Sequence, residues 1–142
     1  MRDPIGFNPF EDAFVGVRIE DEVAVATVMC SSVRERQAAI LQQTLVELAK
    51  SHGGRVLLDL CGVGMLSTAC IADFLALQEQ CKQLGGKFVL FGLASELAST
   101  LRTAGVLKNL NLAADEHDAR KQLQSAKGKP GFVRNLLRRK AA

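Results

Sequence analysis

The chain has no tryptophan and no tyrosine, and only seven phenylalanines among 142 residues. Its interior must therefore be built mainly from aliphatic side chains. It also offers little aromatic surface on which unpaired bases could stack, which argues against single-stranded nucleic-acid binding. Histidine occurs twice, at His52 and His117, and the four cysteines (Cys30, Cys61, Cys70, Cys81) form no CxxC pair. No zinc-type spacing is present, so no metal is expected. Cys61, Cys70 and Cys81 lie in apolar stretches, where a thiol commonly acts as a small buried hydrophobe. The opening residues MRDP lack the apolar run of a secretory signal, and no run approaches the ~20 apolar residues of a membrane-spanning helix. The expectation is a reduced, cytoplasmic protein. Neither a GxGxxG nor a P-loop occurs, and neither histidine neighbours an obvious nucleophile. Catalysis and a cofactor are therefore not expected.

What is present is an ordinary globular composition, 48% hydrophobic and 23% charged, at a length that fits one domain. The net charge of +3 is unevenly spread. Six basic residues and no acid lie between Lys127 and the end, so residues 1–126 carry 12 basic against 15 acidic groups. The body is mildly acidic and only the tail is basic. Three segments follow: an arm over 1–12 holding two of the three prolines, with Phe7 and Phe10 available to tuck against the body; a domain over 13–124; and a basic tail over 125–142. The tail is read first as a solvated terminus, then as a helix docking on a partner or a second copy, and last as a membrane contact.

Phe14–Ile19 and Val23–Val28 are β-rich runs joined closely enough to require a hairpin. Ser32 and Glu35 form a capping-box pattern opening a helix to about Ser51, with Ala38, Leu41, Leu45 and Leu48 inward. Val56–Leu60 is a buried strand, followed by a Gly-bearing connector and a helix from Ser67 to about Leu84. Ile71, Phe74, Leu75, Cys81 and Leu84 should face inward on it. Lys87–Phe91 is a further strand. A helix capped by Ser95 should bury Leu97, Leu101 and Ala104, and an edge strand should cover 109–112. Asp115 should cap a last helix anchored by Ala119 and Leu123. The fold class is therefore α/β, a small mixed sheet that opens with a hairpin and continues in βα units.

The ordered series VLLDLCGVGML, STACIADFLALQEQCKQLGG and KFVLFGLASELASTLRTAGV resembles the STAS family, named for sulfate transporters and anti-sigma factor antagonists. The resemblance spans roughly residues 13–124 and implies helices packed mainly on one face of the sheet. It also implies a protein-binding switch. A serine opening the second helix would be phosphorylated by a partner anti-sigma factor that is itself a serine kinase, and the complex would then part. Ser67 occupies that position, with Thr68 beside it and Thr100 as a second alternate. The implied binding surface comprises Leu66, Ser67, Thr68, Ile71, Ser95 and Glu96. Leu66 stands where antagonists usually carry an aspartate, and Ala69 where many carry a glycine. Ser31 and Ser32 stand where antagonists often carry an aspartate, and here their expected role is capping.

The residue chemistry supports the placement independently, because a helix N-terminus presents free N–H groups and the positive end of the helix dipole to an anion. Ser67 could equally be only a helix cap. Two other functions compete. One is an unphosphorylated scaffold within a sensory assembly. The other is a receiver domain with Asp59 as acceptor, Glu20, Asp21 and Glu22 as metal-binding acids, and Lys129 as its conserved-type lysine. Element order opposes the receiver, which would alternate strand and helix from the start, and Asp59 is expected to be structural. A homodimer is also among the expected partners.

Overall fold

The computed structural model describes residues 14–127. The arm and most of the basic tail, and with them Phe7, Phe10 and Lys129, lie outside the described residues. The elements run β1 (Val15–Glu20), β2 (Val23–Val28), β3 (Ser32–Val33), α1 (Glu35–Ser51), β4 (Arg55–Asp59), β5 (Met65–Leu66), α2 (Thr68–Gln83), β6 (Lys87–Phe91), α3 (Ser95–Thr103), a 3-10 turn (Leu107–Asn109), β7 (Leu112–Ala113) and α4 (Glu116–Lys127).

The main sheet has the order β1-β2-β4-β6-β7. β1 and β2 form the expected antiparallel hairpin, and every later pairing is parallel. The hairpin turns through Asp21 and Glu22, both left-handed at φ 55° and 65°, as a two-residue turn that matches strand twist requires. The central strands are apolar throughout because both faces are covered. One face carries the large core: Ala26, Val28, Leu58, Phe88 and Leu90 from the sheet meet Leu41 and Leu45 of α1, Phe74 and Leu77 of α2, and Leu97 and Leu101 of α3. On the other, Val23, Val25, Leu57, Val89 and Phe91 meet Ala119 and Leu123 of α4, with Ala113 packed beside them. Three helices thus pack on one face and one on the other, as a fold with helices mainly on one side requires. An ion-pair chain ties α4 to the hairpin: Arg18 to Glu116 at 2.6 Å, Arg120 to Glu116 at 3.0 Å and to Glu20 at 2.9 Å.

Several local expectations are corrected. Ser32 does not cap α1; Ser32 and Val33 pair with Met65 and Leu66 in a two-stranded parallel sheet. The cap falls to Arg34, whose N–H donates to Gln37 Oε1 at 3.1 Å, half a capping box, since arginine has no acceptor to return the bond. α3 is preceded by Ala94 in the cap position, with Ser95 its first helical residue. The last strand falls at 112–113, because the segment just before it coils into the 3-10 turn. Leu84 and Ala104 are exposed because both sit at helix C-caps, where the chain leaves the core. Leu77, not singled out from the sequence, is fully buried.

Candidate functional site

Ser67 is placed by backbone rather than by side chains. After β4 the chain turns at Asp59, whose Oδ1 accepts the Cys61 N–H at 2.9 Å. That bond is a local turn contact, so Asp59 holds the loop in place as a structural residue. The connector then crosses to the end of β2. The Ser31 carbonyl accepts the N–H groups of Gly64 and Met65, at 2.8 and 3.2 Å. The Val33 carbonyl accepts the Ser67 N–H at 2.9 Å. Three backbone bonds and the β3–β5 pairing therefore fix the residue that starts α2.

At that start Ser67 is extended (φ −71°, ψ 159°), and its Oγ accepts the Cys70 N–H at 3.2 Å. This is the expected cap, and α2 begins at the next residue. The first turn of α2 carries no acidic side chain, so no carboxylate on the helix itself repels an anion from the positive end of its dipole. Ser67 is half-buried and Thr68 and Ala69 are exposed. The hydroxyl lies at the carboxyl ends of the parallel strands, the end of an α/β sheet where sites commonly form.

Of the surface residues expected from the sequence, Ser67 and Ile71 are half-buried and Thr68, Ser95 and Glu96 are exposed. Leu66 is corrected: only 7% of it is exposed, and it packs in the main core. Parallel pairing with Val33 turns it inward while its neighbour Met65 turns outward. Glu96, in the first turn of α3, reaches toward the connector. A Cβ at Gly64 would stand 3.8 Å from both Glu96 Oε1 and the Ser31 carbonyl oxygen. α3 is thereby brought beside the segment that delivers Ser67. Thr100 is exposed, but its hydroxyl donates to the Glu96 carbonyl oxygen one turn back at 3.0 Å, an ordinary helix contact.

Two exposed methionines escaped the sequence reading, and of these Met65 belongs to the segment that delivers Ser67. Met65, two residues before Ser67, is 41% exposed; Met29, just past β2, is 61% exposed but lies against β1, where a Cβ at Gly16 would stand 3.5 Å from its Cε. Both are flexible apolar side chains of the kind that suits an adaptable protein contact. A methionine in a glycine-bearing connector was the available signal, but its outward direction depends on the β3–β5 pairing. Two clefts elsewhere are lined respectively by Asp21, Arg55 and Arg120 among others, and by Arg102, Leu107 and Lys108; neither is lined by Ser67. Among the described residues, no group of three or more His, Cys, Asp or Glu could hold a metal ion, and no helix is long and apolar enough to cross a membrane.

The cysteines divide by burial. Cys70 and Cys81 are buried, and desolvation pushes their thiols up to about 12 and about 11, with Asp73 and Cys30 adding to the effect at Cys70. Cys61 is exposed rather than buried, because the Asp59 turn carries it out of the strand. Its hydrogen bond with Asp59 raises its thiol, and desolvation and the Asp59 charge add to the rise. At pH 8 a thiol reagent is expected to modify Cys61 slowly, and Cys70 and Cys81 only with unfolding. Because both buried thiols have raised values, the unfolded chain releases these protons first as pH rises. Their contribution is intact below about 9 and is lost between about 9 and 12. Rapid labelling of Cys70 in the native protein would contradict this assignment.

A family profile described as "Mlab, STAS domain" matches residues 16–113, and the chain belongs to the STAS domain family. The architecture agrees with solved structures. An anti-sigma factor antagonist from Mycobacterium paratuberculosis superposes with a TM-score of 0.67 at 17% identity, covering 87% of this chain and 99% of that one. An anti-sigma-factor antagonist (STAS) domain protein from Planctomyces limnophilus gives 0.64 at 18% identity, covering 79% and 96%. The murine anion transporter Solute Carrier 26 family member A9 gives 0.62 at 19%, covering 88% of this chain but 21% of that one. No curated relative matches the chain in sequence.

Proposed function

We propose that the protein is a phosphorylation-controlled binding switch of the anti-sigma factor antagonist kind, acting in the cytoplasm on a regulatory protein and turning over nothing itself. The observation that carries this reading is the Ser67 hydroxyl capping α2, whose own first turn carries no acidic side chain. Ser67 would take the γ-phosphoryl group of ATP from a partner serine kinase, losing its hydroxyl proton and leaving ADP. The free N–H groups of the first turn would then stabilise the phosphate. The added charge of about −1.5 to −2 would oppose a partner docked on Thr68, Ile71, Ser95, Glu96 and the exposed Met65. Transcription control follows from the identity of such a partner, an anti-sigma factor.

Incubating the full chain with a candidate anti-sigma kinase and ATP is expected to add one phosphate, read by intact mass. Ser67→Ala should abolish the adduct and, through the lost cap, lower stability by about 1 kcal/mol. An adduct that survives Ser67→Ala and vanishes in Thr68→Ala or Thr100→Ala would move the acceptor. The scaffold alternative is favoured by Leu66, since a buried leucine in place of the family's aspartate removes a charged contact for a kinase. Partner binding in the absence of any adduct would select it.

A further inference from the structure

The two edges of the main sheet are protected unequally. β7 closes one edge with only two residues, whereas β1 closes the other with six. Sheet edges are usually kept short, charged or bulged because their unpaired backbone groups invite another strand. The Phe14 carbonyl accepts the Met29 N–H, which sets the phase of the hairpin ladder. Gly16, Arg18 and Glu20 turn their backbone groups toward β2, and Val15, Val17 and Ile19 turn theirs outward. Among the described residues, no strand pairs with that outward side.

The side chains of the same three residues lie on the face that α1, α2 and α3 cover. Val15 packs against the core there, but Val17 and Ile19 are 47% and 48% exposed. The two charges of β1 point to the other face and are engaged there, Arg18 by Glu116 and Glu20 by Arg120. No charge on β1 therefore guards the exposed apolar pair.

We propose that this edge is a self-association surface whose occupant is β1 of a second copy, running antiparallel about a two-fold axis at Val17. Keeping apolar faces together restricts the register to steps of two residues. An axis at Arg18 would set two guanidinium groups against each other, and an axis at Ile19 would pair only the last three residues of the strand. An axis at Val17 sets Val17 against Val17 of the second copy and Val15 against its Ile19. Arg18 then faces its Gly16, so no like charges stand directly opposite; the two Arg18 side chains are diagonal neighbours, each engaged by Glu116 of its own chain. The outward backbone groups of Val15, Val17 and Ile19 are all paired, and the sheet runs continuously through both copies. This surface is distinct from Ser67 and does not depend on the reading of that residue.

Light scattering on the full chain at high concentration is expected to give twice the chain mass. Val17→Lys should return it to one chain mass, with an unchanged circular dichroism spectrum. In a Cys61→Ser background under mild oxidation, Val17→Cys should form a covalent dimer. Ile19→Cys should not, because its two copies would stand about 13 Å apart, beyond the ~7 Å reach of a disulfide. Should Val17→Lys fail to fold, this cysteine pair decides. A strictly monomeric chain, a dimer indifferent to Val17→Lys, or equal cross-linking of both cysteine variants would overturn the proposal.

Discussion

Replacing Phe74 with alanine is expected to lower the unfolding free energy by about 3–5 kcal/mol, a large part of the 5–15 kcal/mol that usually holds a domain together. Phe74 is 1% exposed and stands on the inner face of α2. Its ring meets that of Phe88 on β6 edge to face, with centroids 5.7 Å apart, an arrangement that adds to simple area burial. In a chain so poor in aromatic residues, little else nearby has the bulk to refill the space. The loss falls on the helix that carries Ser67, so the position of the candidate site should suffer together with stability. Phe74→Leu, which keeps most of the volume, should lose clearly less. Denaturant unfolding measures both, and a loss below about 1.5 kcal/mol for Phe74→Ala would mean that the core is looser than described.

Gly86→Ala is expected to cost about 3 kcal/mol, for a different reason. α1 and α2 end in the same way: Gly54 N–H bonds back to the Ala49 carbonyl and Gly86 N–H to that of Cys81, at 2.8 and 2.9 Å. The two turns then abut, with the Lys87 N–H donating to the Gly54 carbonyl at 2.9 Å. A Cβ at Gly86 would stand 2.4 Å from both the carbonyl carbon and oxygen of Gly54, and 2.7 Å from the Gly53 oxygen. All three are backbone atoms at the starts of adjacent central strands and cannot rotate away. Gly62→Ala is the matched comparison, because nothing lies within 4 Å of its added methyl. A shift of the unfolding midpoint for Gly86→Ala no larger than that for Gly62→Ala would contradict the close approach.

The sequence was most legible where structure is local or strictly periodic. The hairpin, the buried strands β4 and β6 and the inward residues Leu41, Leu45, Phe74 and Leu101 follow from side-chain alternation and helical spacing. Ser67 and Asp115 were readable as caps because a cap contacts residues only three places on, as at Cys70 and Asp118. The errors arose where a distant segment intervened. Ser32 and Glu35 fit a capping box, but pairing with Met65 and Leu66 captured Ser32 first. The same pairing sends Leu66 inward and Met65 outward, which neither residue type announces. Cys61 looked like part of a buried run, yet the Asp59 turn carries it to the surface. For the candidate site, the hydroxyl was readable and the exposed Met65 two residues before it was not.

The bonds that position Ser67 join the peptide groups of residues 31, 33, 64, 65 and 67. Apart from the inward-facing Val33, the side chains at these positions are largely released from the task of holding the loop. Such an arrangement separates the geometry of the switch point from its chemistry. Mutations can exchange what Ser31, Gly64 or Met65 offers to a visitor while the hydroxyl stays where it is. Distant members of one family could in this way acquire different partners by drift, without rebuilding the scaffold that presents them.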